Sequence, residues 1–295
     1  MTPLAGFRRS FVAVAGTDIA AAVAGSGPPL LLLHGFPQTM AMWHRVAPML
    51  AEQFTVVCTD LRGYGASGRP EAGPDHAGYS KRQMALDQVE VMSALGFDQF
   101  AVAGHDRGGR VARRMCLDHP ERITAAAVLD IVPTATVFAT AGQALSTAYY
   151  HWFFLTQPDG LPERMIGADA RWWLNETLRR WAAPGFTFDP DALAAYEEAF
   201  DNPATIHAQC EDYRAAASID LEHDAVDADA RIRCPLLVLW GVHGAMHRLY
   251  DVLGTWRDEG TDVHGQALDA GHFLPEEAPD ATAWAIAAVA SGSDR

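Results

Sequence analysis

Strand-length apolar runs, separated by stretches with helical spacing, constrain the fold of this chain more than any other feature. The runs are residues 29–33 (PLLLL), 54–58 (FTVVC), 100–103 (FAVA), 125–129 (AAAVL) and 235–240 (PLLVLW). A strand with one face in water alternates polar and apolar residues, whereas a strand covered on both faces does not. Between several of these runs lie amphipathic stretches such as residues 81–95 (KRQMALDQVEVMSAL) and 110–117. The pattern predicts an α/β protein with a mostly parallel sheet flanked by helices. A length of 295 residues holds one large domain, or a core with one inserted subdomain.

The alternation stops between residues 134 and 218. That segment is helical in character and rich in aromatics: Tyr149, Tyr150, Trp152, Phe153, Phe154, Trp172, Trp173, Trp181, Tyr196 and Tyr213. It reads as a helical cap domain (134–218) inserted into a core domain made of 1–133 and 219–295. The cap's aromatic surface would face the carboxyl edge of the sheet, although packing within the cap itself accounts for most of these rings. Near the start, FVAVAGTDIAAAVAG reads as two short strands around a Gly-Thr-Asp turn. Its preceding Arg8-Arg9 pair imitates an export signal, but Thr17 and Asp18 interrupt the apolar stretch, so no export is expected.

Composition removes several classes of function. No apolar run approaches the roughly 18 residues of a membrane span. A net charge of -15 argues against a nucleic-acid partner, which demands a basic footprint. It also means that a site for an anion must carry its own concentrated positive charge. Cys58, Cys116, Cys210 and Cys234 lie far apart with no C-x-x-C pair, which fits reduced thiols in the cytoplasm. His207 and Cys210 are spaced to share a helix face, but no further ligands stand at matching spacing, so no metal is expected.

Gly104-His105-Asp106-Arg107-Gly108 follows the strand FAVA and precedes a helix. This is a nucleophile elbow, G-x-Nu-x-G, with Asp in place of the commoner Ser. The substitution changes the chemistry. A carboxylate can displace a leaving group from saturated carbon and leave an ester that water reopens, whereas a serine would end as a stable ether. By itself, an Asp at this point is equally a helix N-cap. Its partners favour catalysis. His272, in Gly271-His272-Phe273, stands where a general base would follow, and Asp130, at the end of the strand after the elbow helix, is the candidate orienting acid, with Asp251 next in line. The loop after PLLVLWG, the usual place for that acid, contains no carboxylate (Val242-His243-Gly244-Ala245-Met246-His247). His34-Gly35-Phe36-Pro37 has the pattern of an oxyanion loop, so the backbone N–H groups of Phe36 and Arg107 are the expected oxyanion donors.

Arg107 and Arg110 sit three apart at the start of the elbow helix, on the face of Asp106. Two cations there oppose the helix dipole unless an anion sits with them. They are candidates to grip a substrate carboxylate in forked hydrogen bonds. The alternative is a solvated basic stripe continued by Arg113 and Arg114.

With these motifs in place, the chain resembles the α/β-hydrolase group that contains haloalkane dehalogenases, epoxide hydrolases and fluoroacetate dehalogenases. The resemblance runs over nearly the full length, through HGFPQT, DLRGYGASGRP, GHDRGGR, LDIVPT, YYHWFFLTQP, IHAQCEDYRA and AGHFLPEEAP. Haloalkane dehalogenases and most epoxide hydrolases carry Trp after the nucleophile; Arg107 makes the match to fluoroacetate dehalogenases better. That resemblance implies a halide site of His151, Trp152 and Tyr213, whose imidazole, indole and phenol groups can all donate hydrogen bonds. It implies release of halide from small 2-haloacids such as fluoroacetate, with water as the second substrate and neither metal nor organic cofactor. It also implies a homodimer. Trp181 is a candidate pocket wall, and of the adjacent Tyr149 and Tyr150 only one is expected to line the cavity. Epoxide opening, with tyrosines protonating the ring oxygen, haloacetate cleavage with little defluorination, and a non-catalytic receptor are the alternatives.

Overall fold

The computed structural model describes residues 3–292; the outermost residues of the core-domain assignment, 1–2 and 293–295, lie outside the described residues. Eight strands form one sheet in the order β1-β2-β4-β3-β5-β6-β7-β8. They are β1 (Arg8–Val14), β2 (Thr17–Ala24), β3 (Pro29–Leu33), β4 (Thr55–Thr59), β5 (Phe100–His105), β6 (Ile123–Leu129), β7 (Leu236–Gly241) and β8 (Val263–Leu268). Strands β3 to β8 pair in parallel, while β1 and β2 add an antiparallel edge. The unalternating runs occupy the centre: Leu31, Leu32, Leu33, Val57, Val128 and Leu239 are completely buried. Edge strand β1 alternates in exposure instead and leaves Phe11 in solvent.

The expected runs are found to within a few residues, and two differences have physical causes. The first hairpin turns at Ala15 and Gly16, the latter at φ +79°, while Thr17 and Asp18 pair with Val14 and Ala13 inside β2. A turn needs a residue that tolerates positive φ, and Gly16 supplies it more cheaply than Thr or Asp. Strand β5 also runs two residues further than its apolar letters, through Gly104 and His105, because Gly104 pairs with Leu33 on one side and Val128 on the other.

Helix Lys81–Ala94 is capped by the Ser80 hydroxyl, and the elbow helix is Arg107–Asp118. Between β6 and β7 the described chain is helical, including His151–Phe154, Ala170–Trp181, Pro190–Phe200 and Pro203–Ala216, with one more helix, Ile219–Val226, before β7. This segment bonds onto the ends of the core strands and their loops. The Trp181 carbonyl accepts the His272 N–H at 2.9 Å, and Trp173 and Tyr213 pack edge-on against Phe36. Not every aromatic turns inward, since Trp172 is 63 % exposed. No helix among the described residues is long and apolar enough to cross a membrane.

Candidate active site

The turn from β5 into the elbow helix holds Asp106 at φ +46°, ψ −112°. A non-glycine residue in this region stores roughly 1–3 kcal/mol of strain. The turn fits only because its neighbours lack side chains. A Cβ on Gly108 would stand 2.4 Å from the His34 carbonyl, and one on Gly35 would stand 2.4 Å from the Asp106 Cβ. Asp106 occupies the N-cap position without capping: its Oδ1 instead accepts the Phe36 N–H at 3.0 Å. Burial opposes its charge, but His272, His105, Arg107 and Arg110 outweigh burial and hold the carboxyl below its usual range.

His272 and Asp130 meet across 142 residues of chain. His272 Nδ1 lies 2.6 Å from Asp130 Oδ2, and the other carboxylate oxygen accepts the Gly241 N–H at 3.0 Å. Asp130 is itself at φ +53°. Asp251 does not join them; it caps the helix Val252–Arg257 through the Gly254 N–H. His272 Nε2 faces Asp106 Oδ2 at 3.9 Å, beyond direct hydrogen-bond range, and has no protein partner. Burial works against the imidazolium, yet Asp130 and Asp106 lift the His272 pKa above its usual value. The Phe36 N–H already faces the Asp106 carboxylate, and Arg107, as first residue of its helix, has no intrahelical acceptor for its N–H.

The two arginines are buried and differently occupied. Arg107 gives its fork to Asp212: Nε and Nη2 bond Asp212 Oδ2 and Oδ1 at 3.0 and 2.6 Å, and Nη2 also reaches the Asp212 carbonyl. Only Nη1 lacks a partner. Arg110 Nη1 donates to the Val132 carbonyl and to Thr134 Oγ1, both at 2.9 Å, leaving Nε unpartnered. Burial, followed by the Arg107 charge, pushes the Arg110 pKa down to about 10, so it remains a cation at neutral pH. The Arg107 fork is thus spent on Asp212, which leaves Nη1, whereas Arg110 is held through Nη1 alone and its Nε is unpartnered. Arg113 and Arg114 do not extend a solvated stripe. They are held by Asp224 and Glu259, and by Asp118 and Asp227.

Against Asp106 lies a small cavity lined by Arg110, Asp130, Ile131, Val137, Tyr149, His151, Trp152, Trp181, Met246 and His272, with a volume of about 10 Å³. Tyr149 is 6 % exposed and lines it, whereas Tyr150 is 41 % exposed and does not. Tyr213 stands behind this lining, with ring centroids 5.6 Å from His151 and 5.9 Å from Trp152. Its hydroxyl and His151 Nδ1 are buried without partners. Burial pushes the His151 pKa down to about 3, so the ring is neutral and carries one N–H. His207 and Cys210 diverge, the first exposed beside Glu163 and the second buried.

Comparison with known proteins places this geometry. The family model for the alpha/beta hydrolase fold matches residues 28–279. The chain belongs to the α/β-hydrolase family. A fluoroacetate dehalogenase from Burkholderia sp is 48% identical over 279 residues, covering 94% of this chain and 92% of that protein. A soluble epoxide hydrolase from Corynebacterium sp. (strain C12) is 34% identical over 264 residues, 87% of each. Among solved structures, ALR0039 from Nostoc sp PCC 7120, described as an α/β hydrolase, superposes with a TM-score of 0.96 at 56% identity, covering 97% of this chain and 98% of that one.

Several residues of this α/β-hydrolase site escaped the sequence reading. Asp212 is the partner of Arg107; its only sequence signal is adjacency to Tyr213 in CEDYRA. Glu277, five residues after His272, accepts the N–H groups of Gly271, Phe273 and Ala183 and so fixes the loop that carries His272. His105, inside the elbow motif, reaches the His272 carbonyl through Nε2 at 2.8 Å. Burial pushes its pKa down to about 3, so it is a neutral donor there.

Proposed function

We propose that this α/β-hydrolase is a hydrolytic dehalogenase that cleaves the carbon-halogen bond of fluoroacetate and related 2-haloacids, releasing glycolate and halide. One observation carries the reading: two buried arginine N–H groups without partners, Arg107 Nη1 and Arg110 Nε, belong to the cations that hold Asp106 ionised. They suit a substrate with a carboxylate at one end and a leaving group at the other. The Burkholderia relative acts on fluoroacetate by name.

In this mechanism Asp106 Oδ2 forms a bond to the halogen-bearing carbon as the halide leaves with its electron pair. His151, Trp152 and Tyr213 donate hydrogen bonds to the departing anion. If each contributes about 1.5–3 kcal/mol as a charge-assisted bond, three together supply several powers of ten in rate. His272, oriented by Asp130, then takes a proton from water through Nε2. The resulting hydroxide attacks the Asp106 ester carbon while Oδ1 becomes an oxyanion held by the Phe36 and Arg107 N–H groups. Collapse releases glycolate, whose new hydroxyl receives its proton from His272, and leaves one water oxygen on Asp106, whose carboxyl gives up the second water proton to solvent. Tyr149 and Trp181 wall the pocket.

The decisive test is a single turnover of fluoroacetate in H₂¹⁸O, with the peptide spanning Asp106 then weighed and free fluoride measured. Heavy oxygen in that peptide supports the reading, and an unlabelled peptide alongside fluoride release removes the covalent route. Epoxide hydrolysis is the second reading, favoured by the unpartnered Tyr213 hydroxyl and by the Corynebacterium relative. Diol from styrene oxide with no halide from any haloacetate would install it instead. The segment 134–218 acts as the cap over 1–133 and 219–295. A cytoplasmic setting is supported by four free cysteines, and a homodimer by the family resemblance; sedimentation equilibrium tests the latter.

A further inference from the structure

We infer that Asp212 is the positioning residue for substrate recognition: it turns Arg107 so that a single nitrogen, Nη1, meets the substrate carboxylate. The inference rests on the carboxylate-binding reading of Arg107 and Arg110. Three contacts define the orientation. The Asp212 carboxylate holds Nε and Nη2 together, which fixes rotation of the guanidinium within its plane. The ring of the next residue, Tyr213, lies 4.2 Å from Arg107 Cζ, which fixes the tilt of that plane. Nη1 is the nitrogen on the far side of the group from this grip, and it alone is without a partner. One turn of the helix Pro203–Ala216 thus sets both degrees of freedom of a side chain on the elbow helix.

Asp212 is equipped to hold that position. Arg107 and Asp212 are completely buried. The Tyr64 hydroxyl donates to Asp212 Oδ2 at 2.7 Å, Lys81 Nζ donates to Oδ1, and Lys81 in turn lies 3.6 Å from Asp220. Two cations and two anions balance, so the cluster adds no net charge beside the nucleophile. Arg107 Nη1 is left unpartnered on the residue that follows Asp106 in the chain, and the Arg107 charge favours the ionised Asp106 carboxylate. The consequence for specificity is direct: a planar carboxylate takes one N–H from Arg107 Nη1 and one from Arg110 Nε, and direction selects it more than charge does.

The test uses Asp212→Asn combined with Lys81→Met, which preserves the charge balance, with Lys81→Met alone as the control. For chloroacetate, KM and the competitive inhibition constant of acetate should rise together by about tenfold or more in the double variant, the loss of one charge-assisted hydrogen bond, with kcat changed far less. The control should keep both constants within about threefold of the parent. A structural role alone would lower the melting temperature and the active fraction and leave KM and acetate inhibition unmoved; that result overturns the inference. An equal rise in the control overturns it too. Should the double variant fail to fold, a crystal structure of the Asp106→Asn protein soaked with fluoroacetate decides. Arg107 Nη1 on the carboxylate with Asp212 still on Nε and Nη2 supports the assignment, and a carboxylate that displaces Asp212 from the fork refutes it. A parent protein that releases no halide from any haloacetate refutes the underlying reading instead, separately from Asp212.

Discussion

At the scale of single residues, the site sets two titrating groups to opposite tasks. The cations around Asp106 keep its carboxyl, the proposed nucleophile, ionised, while Asp130 and Asp106 raise the pKa of His272, the proposed base, above its usual value. A base must be neutral to accept a proton, so ester hydrolysis falls as pH drops through the His272 pKa, which Asp130 still raises once Asp106 is esterified and uncharged. Asp130→Asn removes the charge that lifts it. The expected result is a slower hydrolysis step, by roughly 10² or more, with its acid limb moved to lower pH. Rapid-quench measurement of the Asp106 ester against pH checks both, and full-speed hydrolysis would remove Asp130 from the mechanism. At the halide end, His151→Ala or Trp152→Phe should impair fluoroacetate turnover more than chloroacetate turnover, because fluoride is the poorer leaving group and depends more on donated hydrogen bonds. Equal losses on the two substrates would place these rings in the wall alone.

The elements of the fold matter through how closely they approach one another. The loop after β3 and the elbow after β5 touch at backbone distance, which leaves no volume at Gly35. Gly35→Ala would put a Cβ 2.4 Å from the Asp106 Cβ and 2.8 Å from the His105 carbonyl. Overpacking of this kind costs about 1–3 kcal/mol, and it also displaces the nucleophile. Urea denaturation should show the loss of stability, and activity should fall further than stability does. A second meeting point ties the helix Pro190–Phe200 to the core. Buried Glu276 contacts Gln38 Nε2, and the Tyr196 hydroxyl at 3.1 Å. Burial pushes the Glu276 pKa up to about 8, against the lowering effect of the Gln38 and Tyr196 hydrogen bonds. The folded protein therefore binds a proton there that the unfolded chain has already lost above about pH 4.3, so this group's contribution to stability falls as pH rises toward 8. Glu276→Gln should flatten the decline in melting temperature between pH 5 and 9; an unchanged slope would show that the carboxyl is ionised when folded.

The whole molecule imposes a charge problem that its site must solve. With a formal charge of -15, the long-range field repels an anionic substrate, whereas the buried arginines act at contact distance. Screening weakens the former far more than the latter, since the Debye length is about 10 Å at 0.1 M salt. KM for haloacetate should accordingly fall as a non-halide salt is raised from low to physiological ionic strength, and a rise would show that local attraction dominates the approach. Much of this protein was legible in its letters. Unalternating runs such as PLLLL announce strands covered on both faces, and GHDRG announces a strained turn, because backbone geometry and periodicity are local properties. His272, Phe36 and Tyr213 were legible by motif and resemblance. Tertiary structure alone settled which donors stay free. No pattern of spacing shows that the Arg107 fork is filled by Asp212, 105 residues away, that Asp130 rather than Asp251 reaches His272, or that Tyr149 turns inward while Tyr150 turns out. Hydrogen-bond satisfaction and burial belong to the packed chain, where a group's partners are fixed by distance in space and not by order in sequence.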